Sequence, residues 1–173
     1  MLIIFTGNGK GKTTAAIGQA LRAVGNGSNV LMVQFIKGPW KSGEDVSVKK
    51  FGSQFKIVKK GKGFVYIGND KIPFEEHRKA SHDGLAYAQK QIDSKKWNIL
   101  ILDEIWNAVS LKLLPIDSVT DFISHNSQNL DHLIMTGRDC PQKFIDMADL
   151  VTEMKEIKHP FSKGSTGTKG MEY

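Results

Sequence analysis

The sequence predicts an α/β fold of the P-loop NTPase type, a doubly wound, mostly parallel sheet with helices on both faces. Three observations carry that reading. Short, nearly continuous apolar runs alternate with helical patterns, which suits parallel strands buried on both faces and joined as βαβ units. The first run, Leu2-Ile3-Ile4-Phe5, leads directly into TGNGKGKTT, residues 6–14. A later run, Ile99-Leu100-Ile101-Leu102, ends in the carboxylate pair Asp103-Glu104.

Taken in order, the strands are expected at 2–5, 30–36, 55–59, 98–103, 132–136 and 150–157, and the helices at 12–25, 75–95, 116–126 and 141–147. The boundaries carry their own chemistry. Gly25-Asn26-Gly27 ends the first helix, Pro73 precedes the acidic turn Glu75-Glu76, and Pro115 stands near a helix start. No internal repeat is visible. Residues 158–173 form a tail rich in glycine and small polar residues, expected to order over a ligand or to fray.

A chain of 173 residues with 40% apolar and 24% charged content can bury a core, and its length favours one domain over 1–173. The aliphatic runs are far too short to span a bilayer, and Met1-Leu2-Ile3 enters a strand rather than a signal sequence, so a cytoplasmic protein without membrane contact is expected. With Cys140 as its one cysteine, the chain can form neither an internal disulfide nor a cysteine zinc cluster. The net charge of +6 invites anionic partners. Much of the excess is Lys49, Lys50, Lys56, Lys59, Lys60 and Lys62, interleaved with Phe51, Phe55, Ile57 and Val58. That strip reads as the guarded face of edge strands. A nucleic-acid surface is the other reading, but no base-reading module accompanies it.

The loop is a nest for polyphosphate. Gly7, Gly9 and Gly11 allow successive backbone N–H groups to face one concavity, and the helix starting near Lys12 adds its partially positive end. Lys12 brings a full charge, the Thr13 hydroxyl is placed for a magnesium ion, and Lys10 and Thr14 add donors. Thr6 stands where the usual G-x-x-x-x-G-K-[ST] pattern begins with glycine, which leaves the N–H donors in place. A carboxylate at the end of a neighbouring strand should complete the site, and Asp103 and Glu104 emerge at the carboxyl end of their strand, where ligands bind in open α/β sheets. Capping of a following helix is the competing use for the pair. The five histidines, 77, 82, 125, 132 and 159, share no helix face and read as structural.

A nucleotide and magnesium follow from these residues; the reaction does not. A phosphotransferase or ATPase stays open, as does an ATP-dependent nucleic-acid-binding protein. A wider set of segments narrows the choice. Residues 5–16, Val33-Gln34-Phe35-Ile36-Lys37-Gly38, Leu102-Asp103-Glu104, Thr136-Gly137-Arg138, Ala148 to Met154 and the ending His159-Pro160-Phe161 to Tyr173 together resemble the P-loop-type ATP:corrinoid adenosyltransferases, over essentially the whole chain. Thr6 is how the loop of that family is usually written.

The resemblance implies transfer of the 5′-deoxyadenosyl group from ATP to the cobalt of a reduced corrinoid, with release of triphosphate. The nucleotide would lie reversed in the loop, so that C5′ faces outward and the triphosphate is the leaving group. Lys12, Thr13 and Glu104 take the catalytic roles, with Thr13, Glu104 and Asp103 around magnesium. Residues 7–14 hold the polyphosphate, Asn8 touches the nucleotide, and Arg138 joins the binding set. Gly63-Phe64-Val65-Tyr66 aligns with the segment that expels the lower axial ligand of the corrinoid, and Phe64 and Tyr66, two apart, would share one side of an extended chain. A core-facing strand is the alternative use of those aromatics, and Tyr66 stands where tryptophan is common. The resemblance further implies a homodimer and an electron-donating flavoprotein. With its first strand at residue 2, the chain is expected to lack the N-terminal lid of many relatives.

Overall fold

Alternation within each strand divides the core in two, and the division explains the architecture. In the computed structural model, which describes residues 1–66, 71–126, 128–160, 168, 170 and 171, the side chains of Leu31, Val33, Leu100, Leu102, Leu133 and Met135 enter one apolar cluster. Their strand neighbours Val30, Met32, Ile99, Ile101 and Ile134 enter another. A period of two along fully buried strands requires cover on both faces of the sheet.

The elements are β1 (Leu2–Thr6), α1 (Lys12–Gly25), β2 (Val30–Gln34), α2 (Gly43–Ser47), a 3-10 turn (Val48–Phe51), β3 (Phe55–Lys59), α3 (Phe74–Asp93), β4 (Ile99–Asp103), α4 (Ile105–Ser110), α5 (Ile116–Asn126), β5 (His132–Thr136), α6 (Gln142–Met147) and β6 (Leu150–Glu153). The six strands form one sheet in the order β3-β2-β4-β5-β1-β6. Every neighbouring pair is parallel, so each connection crosses over and the ends that follow the strands gather on one rim of the sheet. α1 covers one face through Ala16 and Ala20. Residues of α3, α4, α5 and α6, among them Ala88, Ile105, Phe122 and Phe144, cover the other.

Several expectations are corrected. β2 stops at Gln34 instead of 36, because the chain bends at residues 35–36, although the Phe35 N–H still donates to Asp103 O and Ile36 O still accepts the Gly63 N–H. β6 ends at Glu153 instead of 157 and is exposed along its length, since an edge strand at the sheet margin gains cover from one neighbour only. β3, at the opposite edge, is also only partly buried. α2, the 3-10 turn and α4 were not expected at all, since four to six residues give too little periodicity to read. The proposed tail falls mostly on residues 161–167, 169, 172 and 173, which lie outside the described residues.

The lysine strip resolves into an edge. Lys56 is exposed on β3 and Lys49 and Lys50 on the preceding turn, while Lys59 pairs with Asp45 and Lys62 with Glu76, and Lys60 lies over the Tyr87 ring. Half of the strip is therefore spent on internal partners.

Leu100 is fully buried in the central strand β4. Leu100→Ala should destabilise the fold by about 2–5 kcal/mol, read as a lower denaturant midpoint with little change in the slope of the transition.

Candidate active site

Backbone geometry makes the loop after β1 depend on its glycines. Gly7 and Gly11 have φ of 98° and 115°, a region that side chains rarely adopt. Gly9 is held by contact instead of torsion: its N–H donates to Met154 O at 2.6 Å, and a Cβ there would lie 2.6 Å from that same oxygen. β6 thus forms a wall against which the loop is pressed. α1 begins at once behind the loop with no acidic residue in its first turn, so its free N–H groups and dipole are left to an anion.

Thr6 explains the missing first glycine. It is the last residue of β1 and buried, its carbonyl accepts the Met154 N–H at 2.8 Å, and its hydroxyl accepts the Cys140 N–H at 3.3 Å. A glycine would lose the tie to the β5–α6 segment.

Lys12 and Thr13 open α1 on the sheet side. The Lys12 ammonium donates to Gly7 O at 2.6 Å and Gly9 O at 2.7 Å, which puts its charge at the mouth of the loop. Thr13 donates to Asp103 Oδ1 at 2.9 Å. Because β5 lies between β1 and β4, a second hydroxyl spans the remaining gap: Thr136 donates to the same Oδ1 at 2.7 Å. Gln34, paired with Asp103 across β2 and β4, donates to Oδ2 at 3.0 Å. Asp103 is fully buried, and both of its oxygens are taken.

Glu104 stands differently. Its φ of 62° is left-handed, a conformation costing roughly 1–3 kcal/mol in a residue with a side chain, and its N–H is held by Thr136 Oγ1 at 2.9 Å. It precedes α4 without capping that helix through its side chain, so the capping use is not realised. Its carboxyl is pushed up to about 7, first by burial and then by the Asp103 charge, against the opposing pull of Lys37, Lys12 and Arg138. Burial, and then the Arg138 charge, depress Lys12 below the ordinary lysine value, with Glu104, Asp103 and Asp139 acting the other way. Lys37 belongs to the same cluster. Burial would lower it, but the Glu44 carboxylate 2.5 Å away, aided by Asp103 and Glu104, holds it above the ordinary value.

The expected residues Lys12, Thr13, Asp103, Glu104 and Arg138 are thus brought into one charge cluster beside Gly7, Gly9 and Gly11, with Asn8, Lys10 and Thr14 exposed on the rim. Gln34, Lys37 and Thr136 lie in segments that carry the resemblance but were given no role, and Asn107, which accepts the Arg138 N–H at 3.0 Å, was not singled out. The polar residues ending the apolar runs of β2 and β5 were a usable signal for Gln34 and Thr136. Among the described residues no three His, Cys, Asp or Glu side chains gather as a metal cage.

Phe64 and Tyr66 form a separate, exposed feature on the loop after β3. They are 58% and 74% exposed, which removes the core-strand reading. The chain is also not extended there, since Tyr66 has φ of 59°. The Phe64 ring stacks on Trp40 at 6.0 Å and the Tyr66 ring on Phe74 at 5.7 Å. Trp40, itself 60% exposed, fits only because Gly38 and Gly63 lack side chains: a Cβ on either would lie within 2.7 Å of the indole.

A glycine nest at a helix N-terminus, a lysine at its mouth and a buried carboxylate tied to the following threonine define a P-loop nucleotide-binding protein. The fold agrees: the flagellar accessory protein FlaH of Methanocaldococcus jannaschii superposes with a TM-score of 0.55 over 88% of this chain and 69% of that one, at 13% identity. Within that class the chain belongs to the ATP:corrinoid adenosyltransferase BtuR/CobO/CobP family, whose profile matches residues 1–173. It is similar to the corrinoid adenosyltransferase of Escherichia coli K12, 34% identical over all of this chain and 85% of the relative. The corrinoid adenosyltransferase CobA of Salmonella typhimurium is 35% identical over the same shares.

The raised Glu104 carboxyl gives a pH signature. In the nucleotide-free protein without divalent metal, a group held near 7 in the fold and near 4.5 in the unfolded chain takes up a proton on folding between those values, so stability falls as pH rises through that window. Glu104→Gln should therefore match wild type near pH 4, become progressively more stable by comparison up to pH 7, and keep a constant advantage above it, measured by denaturant midpoints across pH.

Proposed function

We propose that the chain transfers the 5′-deoxyadenosyl group of ATP to the cobalt of a reduced corrinoid, using the loop to bind the departing triphosphate. The observation that carries this reading is family membership over the full chain combined with an intact phosphate loop. Cobalt(I) supplies the electron pair of the new bond to C5′, the C5′–O bond breaks, and triphosphate leaves with the electrons of that broken bond. No proton moves in this step, so no acid–base pair is required of the protein.

What the chain contributes is alignment and charge. The nest at residues 7–14, the α1 N-terminus, Lys12 and Arg138 converge on a polyanion whose charge grows as the bond breaks. A magnesium ion suits the donors present, which are hard oxygens too few for an all-protein cage and so leave room for phosphate and water. The Thr13 hydroxyl and the Glu104 carboxylate would hold it, with Asp103 behind them orienting Thr13, and it would neutralise phosphate charge. Asp103 accepts two of its three hydrogen bonds on Oδ1 and one on Oδ2, so any direct contact of Asp103 with the ion would fall to Oδ2.

The exposed ledge of Phe64 and Tyr66 suits the flat face of a corrin ring, where apolar side chains exclude the lower axial ligand and ease reduction of cobalt(II). The same reading takes the active form as a homodimer in a reducing cytoplasm, supplied with electrons by a flavoprotein. A phosphotransferase on this scaffold is less favoured, because the family match covers the chain.

Lys12→Ala should lower adenosylation of pre-reduced cobalt(I) by two or more orders of magnitude, the scale of a lost preorganised charge, with the phosphorus product followed by NMR. Full activity in that variant rejects the assigned role, and ADP as the product rejects the reaction.

Phe64→Ala should chiefly impair the route that starts from cobalt(II) and leave pre-reduced cobalt(I) a good substrate, as followed by ultraviolet–visible spectroscopy. Equal losses on the two routes would remove the ligand-excluding role.

A further inference from the structure

Arg138 sits on the short segment between β5 and α6, and two features pin its backbone. Gly137 has φ of 146°. A Cβ there would lie 2.7 Å from Trp106 Cβ and 2.8 Å from both Trp106 N and Asn107 Oδ1. The segment therefore lies flat on the first turn of α4, closer than any side chain would allow. At that point Asn107 Oδ1 accepts the Arg138 backbone N–H at 3.0 Å.

Asparagine is a poor choice for a helix interior, where its side chain competes with the backbone. Its neighbours Ile105, Trp106 and Ala108 are fully buried, and an apolar residue at 107 would serve the packing of α4 equally well. What asparagine adds is an acceptor aimed out of the helix at the next loop. The opening of α4 is itself fixed, since Glu104 just ahead of it is tied by its N–H to Thr136 Oγ1 and Trp106 packs on Phe144 at 4.8 Å. Asn107 thus hangs from a rigid element. The Arg138 side chain is exposed, and its segment lies beside the root of the phosphate loop, where the Gly137 N–H donates to Phe5 O at 3.2 Å and the Cys140 N–H to Thr6 Oγ1 at 3.3 Å. The Arg138 charge is felt at both Lys12 and Glu104.

We propose that Asn107 is a positioning residue for polyphosphate binding: by fixing the Arg138 backbone to α4 it holds the guanidinium facing the loop that presents Lys12. The ligand is a linear polyphosphate, and the guanidinium is the group suited to it, since its planar fork can engage two phosphate oxygens at once. The proposal rests on the phosphate-binding part of the proposed function and on nothing about the corrinoid.

The test is a double-mutant cycle on the full chain, with tripolyphosphate and magnesium as the titrant and calorimetry as the readout. Asn107→Leu removes the acceptor at similar volume, and Asn107→Ala repeats the measurement if the leucine variant does not fold. Either should weaken tripolyphosphate binding by about 3–10-fold, the scale of one hydrogen bond. In an Arg138→Ala background the same substitution should have no further effect, because its influence passes through Arg138. An unchanged affinity in the single variant overturns the inference, as does an equal loss in both backgrounds, which would mark Asn107 as merely structural. If wild type bound neither tripolyphosphate nor ATP, the proposed function would fall with it. Binding without adenosyl transfer would count against the reaction and leave the role of Asn107 standing.

Discussion

The interaction on which the site depends is the buried Asp103 carboxylate and its three donors. Each donor comes from a different element: Gln34 from β2, Thr13 from α1 and Thr136 from β5. A carboxylate with no solvent contact is costly unless its oxygens are satisfied by hydrogen bonds, so each donor has a fixed place. The constraint also works outward. Thr13 cannot hold its bond to Asp103 unless α1 starts where it does, and the start of α1 fixes where the glycine nest opens. Thr136 uses its lone pair to hold the Glu104 N–H, which keeps Glu104 in a left-handed conformation it would otherwise leave. One carboxylate therefore sets the loop, the Thr13 hydroxyl and the second carboxylate together.

A second constraint comes from the exposed edge of the sheet. β6 has little core to stabilise it, yet Met154, just beyond its end, receives the Gly9 N–H on its carbonyl and gives its own N–H to Thr6 O. The phosphate loop is thus held between a rigid interior strand, β4, and a marginal strand with one neighbour. That arrangement suits a loop which has to close on a polyanion. The interior side keeps the charges in register, and the edge side can yield without unfolding the core.

Much of this was legible in the sequence because it rests on short-range rules. Strand positions followed from apolar runs, α1 and α5 matched their expected ranges, and the nest followed from glycine spacing with Lys12 and Thr13 behind it. What escaped has a common physical origin. α4, only six residues long, offers less than two turns of periodicity, and with it went Asn107, whose use is visible only when the β5–α6 segment is laid across it. Lys37 and Glu44 pair through a turn that no local pattern announces. The aromatic segment was located correctly but not its shape, since Tyr66 adopts a left-handed backbone at a residue type that gives no warning of it. Its ring partners, Trp40 and Phe74, are supplied by two other segments of the chain.

The division of the molecule bears on the chemistry it can perform. Charged groups crowd the rim between β1, β4 and β5, where Lys12, Lys37, Arg138, Asp103 and Glu104 balance one another. The aromatic ledge beyond β3 is apolar and open. An ordinary phosphotransferase needs its acceptor, and a base for it, next to the terminal phosphate. Here the charged rim is separated in kind from the exposed aromatic ledge. A reaction whose nucleophile arrives fully formed, and whose leaving group is a polyanion, makes the least demand for side-chain chemistry between the two regions. The protein then has only to hold them at a fixed separation, which is what β2 does, carrying Gln34 at the charged site and leading directly into the Lys37 to Trp40 turn beneath Phe64.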